Sequence, residues 1–212
     1  MRLFAHRALV HAARLHYAQP HRGYHNAGHL DELIVLAREH TPDLDEAEQL
    51  ALLFHDAVYV PGAAKGDNER LSAVLMKATV ATLARADETL AVTGDDLVRA
   101  ARIIEATTHA GPPPAEAARA CDLDLWRLAS PWEAFQQHAL GIRHEYLHLF
   151  ADEPAFWAAR HAFYESMLAK PRLFATDYFV DRFEETARSN MRRALADRAH
   201  QSAEVTPRDA RS

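Results

Sequence analysis

Cysteine is almost absent from this chain: Cys121 is the single one among 212 residues, so no internal disulfide framework holds the fold, and a reducing, cytoplasmic setting is expected. Glycine is scarce as well, at 7 residues beside 10 prolines. No convincing apolar–polar alternation is present, which argues against a sheet and leaves an all-α fold. Apolar runs are short. None approaches the ~20 residues of a bilayer-spanning helix, so a membrane is not an expected partner. Acidic residues are missing before Asp31, which leaves Arg2, Arg7, Arg14 and Arg22 unopposed in a stretch without serine. Leu3, Phe4, Ala8, Ala12 and Leu15 recur there at helical spacing and predict an ordinary first helix rather than a targeting segment. A net charge of −6 offers no footprint for a nucleic-acid polymer, while nucleotides stay open as small substrates.

What is present is enough apolar material, 49% of residues, for one substantial core. The patterning predicts a single-domain bundle of eight or nine helices over residues 1–198, with a polar, frayed tail over 199–212. Helices are expected over 3–18, 26–40, 45–58, 67–85 and 94–109, the fourth capped by Asp67 or Asn68 and the fifth by Thr93. Gly111-Pro112-Pro113-Pro114 then breaks the chain before a short helix bearing Asp122 and Asp124. Ser130-Pro131-Trp132-Glu133 reads as a capping box opening a helix to about residue 150, and Asp152 and Thr176 read as caps of two more.

Two segments carry chemistry. Tyr24-His25-Asn26-Ala27-Gly28-His29 places two histidines four apart, so they stack along one face of a helix that starts near Asn26. His55-Asp56 sits at the end of a segment, Ala47 to Val58, that is apolar nearly all round and therefore buried. A buried carboxylate there is costly unless a cation meets it. Imidazole and carboxylate ligands together suit a divalent ion: Mn, Fe, Co, Ni, Zn or Mg.

Tyr-His-Asn-x-x-His, then His-Asp, then a later Asp-Leu resembles the HD superfamily of metal-dependent phosphohydrolases. The first element is similar to that of cyclic-nucleotide phosphodiesterases. The likeness is closer still to a small bacterial group of predicted HD phosphohydrolases, through Phe54-His55-Asp56-Ala57-Val58-Tyr59, Asp67-Asn68-Glu69 with Ser72-Ala73, Thr107 and His109, and Arg143-x-Glu145-Tyr146. The resemblance spans roughly residues 20 to 150 of a chain much shorter than a phosphodiesterase catalytic domain. It implies His29, His55, Asp56 and Asp124 as metal ligands, with Asp122 the competing choice for the last. It also implies His25 as general acid, and a phosphate mono- or diester, nucleotide-like, as substrate. His25 and Asp56 are thus the expected catalytic pair. Lys65, Glu69, His109, Arg143 and Glu145 are the expected substrate-side residues. A catalytically silent domain that senses a nucleotide is the alternative.

A rival motif lies further on. His144-Glu145-Tyr146-Leu147-His148 satisfies H-E-x-x-H, the zinc-protease signature in which two histidines one helical turn apart bind zinc and the glutamate activates water, so a zinc protease using these three residues is a further alternative. The extended form needs Gly and His where Ala151 and Pro154 stand, although Glu165 offers a third ligand.

Overall fold

The structure, a computed structural model, describes residues 1–204, with side chains described to Asp197. At its centre lies α3 (Glu46–Phe54), buried from Ala47 to Phe54 on every face. Asp45 begins it with a capping box closed by Glu48. Leu50, Leu52, Leu53 and Phe54 are almost wholly excluded from solvent, and each contributes ~1.5–3 kcal/mol of burial. Five helices surround it: α1 (Arg7–His16), α2 (Ala27–His40), α4 (Asp67–Ala84), α5 (Gly94–Ala106) and α6 (Ala118–Leu125). The remaining three are α7 (Trp132–Tyr146), α8 (Glu153–Leu168) and α9 (Asp177–Glu204). Of these, α9 packs on α8 and on the 3₁₀ turn Trp126–Ala129. The described residues form an all-α bundle of nine helices, and none of these helices is long and apolar enough to cross a membrane.

Several helix limits differ from the sequence expectation, each for a local reason. The first helix is interrupted at His6, whose Nδ1 accepts the Leu9 N–H and starts α1 afresh after a 3₁₀ turn at Leu3–Ala5. The third stops at Phe54 rather than 58, because side chains remote in sequence take over the backbone groups that a further turn needs. Tyr17 Oη binds the Asp56 N–H, Arg22 donates to the Asp56 and Ala57 carbonyls, and Ser72 Oγ bridges the N–H and C=O of Val58. The fourth helix has Gly66, at φ +86°, as its N-cap, a left-handed backbone that glycine adopts without strain. Asp67 pairs with Arg70, and Asn68 clamps both backbone groups of Val60.

The box expected at Ser130 does not form. Pro131 takes the N-cap, and Ser130 Oγ turns back to the Arg127 carbonyl. The fifth helix ends at Ala106 rather than 109, and the seventh ends at Tyr146, followed by a 3₁₀ turn at Leu147–Leu149. Thr93 and Asp152 cap as expected. Thr176 Oγ1 accepts the Phe179 N–H at the start of α9. That helix continues to Glu204, past the expected start of the tail at 199, and residues 205–212 lie outside the described residues.

Candidate metal centre and its cavity

Four ligand-type side chains from two helices and a turn meet at one point. His29 comes from the first turn of α2, fixed by Asn26, whose Oδ1 accepts the Gly28 and His29 N–H groups. His55 and Asp56 come from the turn that ends α3, and Asp124 from α6. Their ligand atoms all lie within 4.8 Å of one another. The early end of α3 matters here. Neighbours on a continuous helix diverge by about 100°, whereas the turn brings Asp56 Oδ2 to 3.0 Å from His55 Nε2.

The donor set fits a divalent ion. His29 Nε2 and His55 Nε2 face each other at 3.4 Å, an arrangement of two imidazole nitrogens that a shared cation resolves. His55 Nδ1 donates to the Leu52 carbonyl at 3.1 Å, which sets the tautomer and leaves the Nε2 lone pair for the centre. The buried Asp56 Oδ2 has no hydrogen-bond partner among the described residues. Asp124 Oδ1 lies 3.5 Å from His55 and 3.7 Å from His29. Its Oδ2 meets His109 Nε2 at 2.9 Å. Burial opposes ionisation of both carboxylates, yet the neighbouring imidazoles outweigh it. Asp56 is held down to about 2 by His55 and His25, and Asp124 well below the usual range by His109, His29 and His55. Burial likewise depresses His29, whereas for His55 the Asp56 carboxylate more than offsets burial and raises its proton affinity well above normal.

His25 stands beside this group, its ring centroid 6.0 Å from that of His29. Glu145, 1% exposed, accepts three hydrogen bonds from the segment that carries it. They come from the N–H groups of Tyr24 and His25 at 2.8 Å and from His25 Nδ1 at 2.7 Å. That leaves Nε2 as the atom His25 offers to the cavity. Tyr59 stacks on the His25 ring at 3.9 Å, and its hydroxyl meets that of Tyr146 at 2.7 Å. Two glycines let the parts approach so closely. A Cβ on Gly23 would lie 2.4 Å from the Gly141 carbonyl, and one on Gly141 would lie 3.0 Å from the Gly23 carbonyl.

Arg22 holds the backbone beneath the site. It is 5% exposed and donates to the carbonyls of His25, Asp56 and Ala57 at 2.8, 2.7 and 3.1 Å, joining the two segments that deliver the ligands. Nothing in its sequence setting signals this role, because its acceptors are backbone atoms.

A cavity of about 540 Å³ opens over the cluster. Its wall includes His25, Asp56, Asp124, Lys65, Glu69 and His109. Lys65 is exposed at the rim. Burial, reinforced by Asp56 and Asp124, raises the Glu69 carboxyl above its ordinary value. His109 takes a left-handed backbone, φ +48°, just beyond α5 and reaches Asp124 from there.

Two expected residues stand elsewhere. Arg143 points outward to Glu153, at 2.6 Å, and does not line the cavity or pair with Glu145. Glu145 lies behind His25 rather than in the wall. Asp122 is also turned away. It accepts the N–H groups of Ala175 and Thr176 and the Thr176 hydroxyl ahead of α9, so the choice between the two aspartates falls to Asp124. The H-E-x-x-H motif does not converge either. Its helix ends at Tyr146, which puts His148 in the following 3₁₀ turn, and Glu145 is committed to His25. Among the described residues no metal-type group includes His144 or His148.

Arg127, His138 and Arg160 also line the cavity and were not anticipated. Arg160 was legible, since Phe156, Ala159, Arg160 and Phe163 fall at i, i+3, i+4 and i+7, one helix face that carries a cation among aromatics. Comparison with family models, with curated proteins and with solved structures finds no match.

Proposed function

We propose that the protein is a metal-dependent phosphoric ester hydrolase acting on a phosphate mono- or diester of a nucleotide or a related small molecule. The observation that carries this reading is the convergence of His29, His55, Asp56 and Asp124 on one point, with Asp56 and Asp124 in the cavity wall and His25 beside them, oriented by a buried carboxylate. The likeness of the same residues to the HD superfamily supports the same reading. A divalent ion held by the four would supply Lewis acidity to the phosphoryl group and to a water.

The chain's own residues do the rest. Water adds to phosphorus as the bond to the ester oxygen breaks, and His25 gives its Nε2 proton to that departing oxygen. Glu145 accepts the Nδ1 proton, so the proton that moves is the one carried on Nε2. The Tyr59 ring fixes the plane of the imidazole. Glu69 adds a carboxyl of raised proton affinity to the same wall, suited to hydrogen-bonding a phosphoryl oxygen.

The test joins metal analysis to turnover. Purified wild type is expected to bind a divalent metal and to release phosphate or nucleotide from a panel of esters in a metal-stimulated manner. Asp56→Ala and His55→Ala are expected to lose the metal, while His144→Ala and His148→Ala keep it. Wild type with neither bound metal nor metal-stimulated hydrolysis overturns the reading, and metal-loaded protein that binds nucleotides without turnover makes it a sensor instead.

A further inference from the structure

Beyond the metal cluster the cavity changes sign. His138, from α7, lies two ring contacts from the centre: Tyr24 sits 4.7 Å from His29 and 4.1 Å from His138, centroid to centroid. Burial first, and then the charges of Arg160, His25, Arg127 and His29, depress its proton affinity far below normal. Two of those neighbours, Arg160 and Arg127, carry a fixed positive charge, so this end of the cavity favours an anion.

The polar atoms here are also unsatisfied. Arg160 Nη2, Arg127 Nε and His138 Nδ1 are buried and have no hydrogen-bond partner among the described residues. Arg127 is otherwise engaged, since it pairs with Glu32. Arg160 is not. Its Nε donates to the Tyr164 hydroxyl at 3.0 Å, its guanidinium lies 4.9 Å from the Phe163 ring and 4.8 Å from the Tyr164 ring, and no carboxylate among the described residues pairs with it. A buried guanidinium donor without an acceptor is costly, and a planar fork framed by aromatic rings is suited to bidentate capture of a phosphate or carboxylate. Phe150 and Phe156 add apolar wall to the same cavity.

We infer that the cavity holds a second anion subsite, built on Arg160 with His138 and Arg127, and that the ligand is a small molecule carrying two anionic groups joined by a spacer. One group, the phosphoryl, sits at the His/Asp cluster. The other, a phosphate or a carboxylate, sits at Arg160. The inference rests on the phosphohydrolase reading only for the end of the ligand that reacts.

Calorimetric binding of non-hydrolysable probes tests it: an α,ω-alkanediphosphonate series, the matching phosphonoalkanoates, and alkylphosphonates of the same lengths. Each is titrated into manganese-loaded wild type and into protein stripped by chelator and dialysed. Wild type is expected to bind the best doubly charged probe at least about tenfold tighter than its singly charged counterpart, as a charged hydrogen bond implies. The tighter of the two doubly charged series identifies the second group. In Arg160→Gln that preference falls to about unity, and Arg160→Lys, which keeps the charge but not the fork, retains part of it. Equal affinities in wild type, or a preference that survives in a natively helical Arg160→Gln, overturn the subsite. Should phosphate release fail while the preference persists, the subsite stands and the hydrolase reading falls. Turnover without preference removes the subsite alone.

Discussion

Glu145 and His25, 120 positions apart in the chain, share a hydrogen bond of 2.7 Å, and the same carboxylate holds the two backbone N–H groups that present the histidine. One buried side chain thus sets both the ring and the backbone of His25. Glu145→Gln keeps an acceptor for the backbone but loses the anionic partner of Nδ1. Turnover is expected to fall about ten- to hundredfold with metal content unchanged. The pH dependence has a definite sign. Burial works against the Glu145 carboxylate, but His25 and the two N–H groups outweigh it, so its folded pKa lies below the ordinary value. Its stabilisation is complete above about pH 4.3, the unfolded value, and is lost as pH falls through the lower folded one. Thermal melts are expected to show the gap between wild type and Glu145→Gln at its widest above that pH and narrowing below it. A gap that widens on acidification contradicts the assignment.

Arg22→Met removes the donor shared by three carbonyls under the site. At ~1–3 kcal/mol for a buried polar group left unpaired, and with partial relaxation, a loss of about 2–4 kcal/mol is expected. Urea denaturation reads this as a lower midpoint at an unchanged slope. Weaker metal binding should accompany it, because His25, Asp56 and Ala57 share the anchor. A change under about 0.5 kcal/mol, the size of an ordinary surface substitution, contradicts the role.

Asp122→Asn and Asp124→Asn separate two aspartates that the sequence sets two positions apart. Asp124→Asn is expected to lose the metal, and to release His109 from its 2.9 Å contact. Asp122→Asn is expected to retain metal at the wild-type ratio and to lower stability by ~1–3 kcal/mol, because the start of α9 loses an anionic acceptor. Metal analysis and melting of the same two preparations decide it. Equal metal loss in both variants contradicts the ligand assignment.

Part of the His/Asp cluster was legible locally: Asn26 predicts where α2 starts, and the greasy run before His55-Asp56 declares a buried acidic group in need of a cation. Asp124 entered through the likeness to the HD superfamily, and His25, one residue ahead of the Asn26 cap, lies outside α2 rather than on one face of it with His29. The end of α3 was not legible, because Tyr17, Arg22 and Ser72 act on its backbone from distant places, and hydrogen bonds to main-chain atoms leave no residue-type signal. Sequence alone makes Glu145 pocket wall or part of a zinc motif for a related reason. Its real partners are two N–H groups and a ring nitrogen on a segment 120 positions away. Ser130 shows the reverse failure. A correct local signature lost to a competing use of the same hydroxyl by the Arg127 carbonyl.

The contact between Gly23 and Gly141 ties the segment that carries His25 to α7. A single methyl group at either position meets the opposite carbonyl at 3.0 Å or less. The Gly23 carbonyl also accepts from the side chain of Asn26, the residue that caps α2 and presents His29. Alanine at either position therefore disturbs His25 and the His/Asp quartet together, and one codon reaches both.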